Sequence, residues 1–307
     1  AKMQTTTEKL FKELQRYPRR LTRKEKQKFR YFLKEKLENL GYDPREQKSK
    51  GFIKSVNIET HCNAPLYLVA AHYDTPTVMP PWLDGLFRLF GHTRQILIFV
   101  IMMAVGALLN LAGVTGEVIL AVLFASLATL IIPNPHNAND NTSGVLGCLR
   151  LAESIADDTI LKDQVKFVFF DHEEWGLLGS SAFVRYKNSM SIATNHLKVI
   201  TLDCIGRGDI PMVIRNGKSA YAGALYEHLK QFNEQTQEMN SGIIPLSDNY
   251  SFKNQGAVNV SVFKRSWIPG GYVIENVHLP ADKKIDFSRV DQVVNGVLSF
   301  IKNEKQV

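Results

Sequence analysis

Side chains able to bind a metal or move a proton recur in five short stretches, most of them directly after an apolar run. His72–Tyr73–Asp74 follows Leu66–Ala71. Extended chain points residues i and i+2 to the same side, so Asp74 can accept from one nitrogen of His72 while the other binds a metal. Asp171–His172–Glu173–Glu174 follows Val165–Phe170. Adjacent side chains diverge there, which lets Glu174 act as a ligand and Glu173 as a general base. Asp203 closes the run Val199–Leu202, Asp140 stands in Asn139–Gly144 at the mouth of a helix, and His278 lies in Glu275–Pro280. Each has an ordinary alternative: a helix cap for Asp140, a turn for Asp203, a solvated pair for Glu173 and Glu174, a packed loop residue for His278. Together they form a two-metal set with Asp140 as the shared ligand. Asp140, Glu174 and Asp203 carry −3 against +4 for two Zn²⁺, and one hydroxide closes the balance. Such a site activates water and polarises a peptide carbonyl, with Glu173 passing the proton to the leaving amine and no serine or cysteine nucleophile.

These residues need a scaffold. Strand-like runs at 54–59, 66–71, 165–170, 199–202 and 258–263 alternate with helical stretches such as 144–156, 220–234 and 290–302. That alternation predicts an α/β fold with a sheet of parallel character, whose strand ends carry the site. Residues 7–40 carry apolar positions at helical spacing, broken at Pro18 and ended at Gly41. No internal repeat is visible.

One segment does not read as part of a soluble domain. Between Arg94 and Asp140 lie 45 positions with one formal charge, Glu117. Gly113–Gly116 divides it into apolar runs over 96–112 and 118–132, which as helices are about 26 and 23 Å long. A bilayer core wants roughly 30 Å. A membrane hairpin is expected, with a buried hairpin or an oligomerisation arm as the alternative; Gly106 and Ala107 offer a weak basis for pairing copies of the chain. Arg88 and Arg94 precede the first run and the turn has no Lys or Arg, which puts both ends, and the catalytic domain, on the cytoplasmic side of the cell membrane.

Charge agrees. Residues 1–50 hold 16 Lys/Arg against 7 Asp/Glu, so the basic character belongs to the N-terminal arm. Such an arm suits nucleic acid or an anionic bilayer, and the apolar hairpin favours the bilayer over nucleic acid. Cys62, Cys148 and Cys204 show neither a disulfide framework nor a CxxC motif, and no secretory leader is expected, since the first long apolar run begins near Ile96. The expected division is a basic helical arm (1–50) packed on the catalytic domain, a zinc peptidase domain (51–90 and 133–307) and an inserted hairpin (91–132).

The ordered motifs HYD (72–74), NDNTSG (139–144), EEWGLLGS (173–180), LDCIG (202–206), SDNYSF (247–252) and VHLP (277–280) resemble the co-catalytic zinc aminopeptidases of clan MH, which share a fold with the animal glutaminyl cyclases. The resemblance runs from Leu14 to about Val297, the hairpin excepted. It implies a mixed, largely parallel β-sheet flanked by helices and two Zn²⁺ per chain. One ion would be held by His72 and Asp203, the other by Glu174 and His278, with Asp140 between them. Glu173 matches the general base and Asp74 the acid behind the first histidine. Asp248 and Phe252 match a segment near the substrate pocket, although Asn249 replaces the usual His. Val277 stands where several secreted members carry a Tyr that stabilises the oxyanion. The hairpin is the departure from that family. It implies a cleft opening near a membrane surface and peptide substrates lying on or leaving the bilayer. Competing readings are a glutaminyl cyclase, a carboxypeptidase or deacylase, and a non-catalytic membrane scaffold.

Overall fold

The computed structural model describes residues 6–50, 53–190, 196–244 and 246–304; the ends of the expected arm and of the expected peptidase domain, residues 1–5 and 305–307, lie outside it. Two helices come first, α1 (Thr6–Leu14) and α2 (Arg23–Asn39). Thr22 starts α2 by accepting from Glu25 N–H, and the Glu25 carboxylate accepts from Thr22 N–H in return. Gly41 adopts φ 76° just past the helix, where a left-handed residue ends it.

The sheet follows: β1 (Pro44–Lys48), β2 (Val56–Thr60), β3 (Tyr67–His72), β4 (Val165–Phe170), β5 (Lys198–Leu202), β6 (Ile210–Arg215), β7 (Gln237–Asn240), β8 (Val258–Arg265) and β9 (Tyr272–Val273). Their order is β1-β2-β4-β3-β5-β8-β6-β7, with β9 on β8. The central β4-β3-β5-β8 group is parallel, whereas β1-β2, β2-β4, β6-β8 and β8-β9 are antiparallel. This is the mixed, helix-flanked α/β sheet that the sequence predicts. The strands β1, β6, β7 and β9 are additions. β1 and β7 read as polar loops because they lie at or near the sheet edges, where alternate side chains face water. Pro211 disguises β6.

Every residue of β3 is buried, because helices cover both faces of the sheet. Val69, Ala71, Phe167, Phe169 and Leu202 face α6 (Gly144–Ile155), α10 (Phe287–Asn303) and the N-terminal helices. Leu68, Val168 and Phe170 face Phe183 of α8 (Leu178–Ser189) and Phe252.

The basic arm is partly internal. Arg20 is 1% exposed, and Lys26 makes a buried ion pair with Asp171 at 2.7 Å. Arg30 donates to the Tyr73 hydroxyl at 3.1 Å. These three cations of the arm are therefore not free to meet lipid headgroups. Burial alone raises the Asp171 carboxyl, but the hydrogen bond from His172 and the Lys26 charge outweigh it and hold the group at about 2. A depressed carboxyl pKa adds stability above its ordinary value near 4, and that stability is lost as pH falls toward 2. Lys26→Met removes the buried cation opposite Asp171; urea denaturation is expected to show a loss of about 3 kcal/mol.

Between β3 and α6 the chain leaves the sheet. It runs through α3 (Pro81–Phe90), α4 (Gln95–Leu111) and α5 (Gly116–Leu127), then a 3-10 turn at Ala128–Ile131. The second helix is shorter than the sequence predicts, since its last residues tighten into that turn. Among the described residues, one helix, His92–Leu111, is long and apolar enough to cross a membrane, and 6% of an 18-residue apolar stretch of it is buried. The two stems of the excursion pair with each other. Thr77 bridges Pro133, Val78 N–H donates to the Ile132 carbonyl, and Asn134 N–H donates to the Pro76 carbonyl.

Candidate metal centre

The parallel centre of the sheet puts His72, the Asp171–Glu174 turn and Asp203 at one edge, because β3, β4 and β5 all end there. The paired stems bring Asp140 back to that edge. His278 arrives from the far side of the sheet, and its carbonyl accepts from Met79 N–H in the outgoing stem.

Asp140 lies between two groups of side chains. Its Oδ1 is 3.4 Å from His72 Nε2, which is also 3.6 Å from Asp203 Oδ1. Its Oδ2 is 3.1 Å from His278 Nε2, which is also 3.1 Å from Glu174 Oε2. The donor atoms of His72, Asp140 and Asp203 lie within 4.8 Å of one another, and so do those of Asp140, Glu174 and His278. Glu173 Oε2 is 3.9 Å from His72 Nε2.

Electrostatics demand a cation here. Burial raises the Glu173 carboxyl well above its ordinary range, and Glu174, Asp248 and Asp203 add to that against the charge of His72. Burial works against a charged His72, yet Glu173, Asp140, Asp203 and Asp74 hold its pKa well above the ordinary value. Glu174 Oε1 and Asp203 Oδ1 are buried with no hydrogen-bond partner among the described residues. Unpaired buried carboxylate oxygens are costly unless an ion coordinates them. Imidazole nitrogen and carboxylate oxygen at close range are the donors that zinc accepts.

Surrounding residues hold this set in place, and several escaped the sequence reading. Asp74 lies 3.5 Å from His72 Nδ1 and also accepts the backbone N–H of Glu173 at 3.1 Å and of Glu174 at 3.3 Å. It therefore fixes the glutamate turn as well as the histidine. Asp282 accepts from Asn139 N–H and Asp140 N–H, at 2.9–3.0 Å. The Asn141 amide donates to the Leu202 carbonyl, and its oxygen accepts from Cys204 N–H, which ties Asp140 to the end of β5. Gly144 is required here, because a Cβ would overlap the Leu202 carbonyl and the Asn141 side chain. Arg20 braces the same edge by donating to the Tyr73 carbonyl, Asn137 Oδ1 and Thr142 Oγ1. Nothing local in the sequence marks Asp282 or Arg20, whose partners are 142 or more and 53 or more positions away except for the Tyr17 carbonyl. Backbone strain concentrates nearby. Leu177, Cys204, Asn276 and His278 have φ of 57–61° without being glycine.

The centre floors a cleft of about 360 Å³, walled by Met79, Phe87, His92, Ile214, Leu246, Phe263, Ile274 and Val277. Asp248 and Phe252, expected at the substrate pocket, are buried and are not among the residues that line it. Asp248 is buried and acts on Glu173 through its charge, and Phe252 packs against Phe170 and Phe183.

The sequence profile of peptidase family M28 matches residues 55–299. The chain belongs to peptidase family M28. It is by family a peptide hydrolase. A comparison with curated proteins returns no match. Among solved structures, this M28 chain is similar to Legionella pneumophila LapA aminopeptidase at 17% identity, with 96% of this chain and 70% of that one covered and a TM-score of 0.65. It is similar to Porphyromonas gingivalis glutaminyl cyclase at 16% identity, covering 98% of each chain with a TM-score of 0.66. A Zn-dependent exopeptidase from Parabacteroides distasonis matches at 15% identity over 95% of each chain, with a TM-score of 0.65. At these identities the likeness speaks for the fold, and the family match carries the peptidase assignment.

Proposed function

We propose that this M28 chain is a zinc aminopeptidase working at a membrane surface, with two ions held by His72 and Asp203 and by Glu174 and His278, and Asp140 serving both. The observation that carries this reading is the placement of Asp140, whose two oxygens each face one histidine and one further carboxylate. When bound, the ions polarise the substrate carbonyl and make water acidic enough to attack near neutral pH. Glu173 takes the proton from the attacking water and delivers it to the leaving amine. Burial and neighbouring carboxylates lift its pKa, which suits a group that must accept and then release a proton. Asp74 keeps the glutamate turn and His72 in register.

The apolar wall of Ile214, Leu246, Phe263 and Ile274 favours an apolar N-terminal residue. A digest of a peptide library by the zinc-loaded protein in lipid, read by mass spectrometry, is expected to release Leu, Met and Phe at least about tenfold faster than Asp or Lys. N-acetylated peptides are expected to survive. Release from acetylated ends would point to a deacylase or carboxypeptidase instead. The cyclase reading draws on the match to the full length of the P. gingivalis enzyme. It predicts ammonia release from N-terminal glutamine with no free amino acid.

Membrane placement is supported by the exposed apolar faces of α4 and α5, which include Phe99, Met103, Leu108, Leu111 and Phe124. Trp82 and Trp267 are exposed beside the foot of the excursion, where interfacial aromatics belong, and Arg88 and Arg94 are nearby. The positive foot argues for a cytoplasmic catalytic domain. Replacing residues 96–127 with a short Gly/Ser linker tests this. The variant is expected to leave the membrane fraction and to lose cleavage of lipid-bound peptides, while short soluble peptides are cut within about threefold of wild type. Equal cleavage of both substrate classes by variant and wild type would remove the membrane from the proposal.

A further inference from the structure

His92 lies at the start of the apolar excursion, yet its side chain is 91% buried and walls the metal cleft alongside His72, Asp140, Glu174 and His278. Its ring is fixed in two ways. Phe87 stacks on it with centroids 4.2 Å apart and planes 11° from parallel. The backbone N–H of Ile274 donates to Nδ1 at 3.2 Å. A nitrogen that accepts a hydrogen bond carries no proton, so the neutral ring has its hydrogen on Nε2. Nε2 is buried and has no hydrogen-bond partner among the described residues. A buried donor left unpaired is costly, and a substrate acceptor would offset that cost.

The backbone that carries His92 is rigid. Trp267 and Ile268 donate to the carbonyls of Arg88 and Leu89, and Arg94 donates to the Pro269 carbonyl. Arg88 reaches Asn276 Oδ1 at 2.9 Å. Gly271 lets the two segments touch, since a Cβ there would overlap the Phe90 carbonyl.

We propose that His92 is a catalytic residue whose Nε2–H donates to the substrate carbonyl oxygen as that oxygen gains negative charge. This assignment rests on the peptidase reading for the identity of the carbonyl. A neutral imidazole held ready in a largely apolar cleft is a strong donor to a developing oxyanion, and it needs no reorganisation at the moment of reaction. The insertion then contributes a chemical group as well as an apolar surface.

The test uses the full chain, zinc-loaded in lipid, with His92→Phe, which keeps the ring stack, and His92→Gln, which restores an N–H donor. With a leucyl dipeptide, His92→Phe is expected to lower kcat by about 10²–10³-fold. KM and bound zinc should stay near wild type, and His92→Gln should recover at least about tenfold of the loss. Nitrogen-15 NMR of the imidazole is expected to show the Nε2–H tautomer, with its proton signal moving when leucine phosphonate, an anionic tetrahedral mimic, is added. A kcat for His92→Phe within about threefold of wild type, or an Nδ1–H tautomer, overturns the proposal. If the wild type frees no amino acid, the peptidase reading falls. The tautomer and its response to the phosphonate then still decide the role of His92 as a donor.

Discussion

Glu173→Gln is expected to lower kcat by about 10²–10⁴-fold while leaving zinc content and fold unchanged. The amide keeps the shape of the carboxylate but cannot accept the water's proton. Glu173 Oε2 lies 3.9 Å from His72 Nε2, and the two close groups around Asp140 are complete without it. Steady-state kinetics with metal analysis on the same samples separate the outcomes. Full zinc with near-wild-type kcat would remove Glu173 from proton transfer. Loss of zinc would make it a ligand, which the proximity of His72, Glu173 and Glu174 donor atoms leaves as the specific alternative.

Asp140→Ala is expected to have the largest effect of any single substitution. Removing Glu174 or Asp203 strips one group of one carboxylate, whereas removing Asp140 strips both groups at once. Zinc content is expected to fall from two ions per chain to below one, and activity to the level of the metal-free protein. Glu174→Ala and Asp203→Ala are expected to keep about one ion each. Retention of both ions by Asp140→Ala would end the shared-ligand reading. The backbone there is held by Asp282 and Asn141, so the variant is expected to fold.

Much of the proposed metal set stood out in the sequence because three of its members sit beside a recognisable event in the chain. His72 ends a buried strand, Glu174 and Asp203 follow shortly after two others, and fully apolar runs announce such strands with little ambiguity. The resemblance supplied the pairing of ligands, and the distances around Asp140 agree with it. What failed to show was long-range. The sequence around Arg20 does not show its partners: it is buried and bonded to residues 53 to 122 positions away as well as to the nearby Tyr17 carbonyl. Nothing near Asp282 in the sequence points to its role at Asn139 and Asp140. His92 sat in what read as the approach to a membrane helix, and only the docking of residues 88–94 onto 266–276 places it in the cleft. The edge strand β7 was hidden because it is four residues long and Met239 is its one apolar side chain, too little for a period to show.

The Thr77–Pro133 bridge has a consequence for how the molecule is made. β3, which carries His72, pairs only with β4 and β5, and both are encoded after the excursion. A chain growing from its N-terminus therefore produces the apolar helix before β3 has any neighbour, and before Asp140, Glu174, Asp203 or His278 exist. The enzyme is assembled in two instalments around that helix. A nascent chain has no cleft with which to harm its own cell's peptides until the helix has settled and the return stem has found residues 76–78.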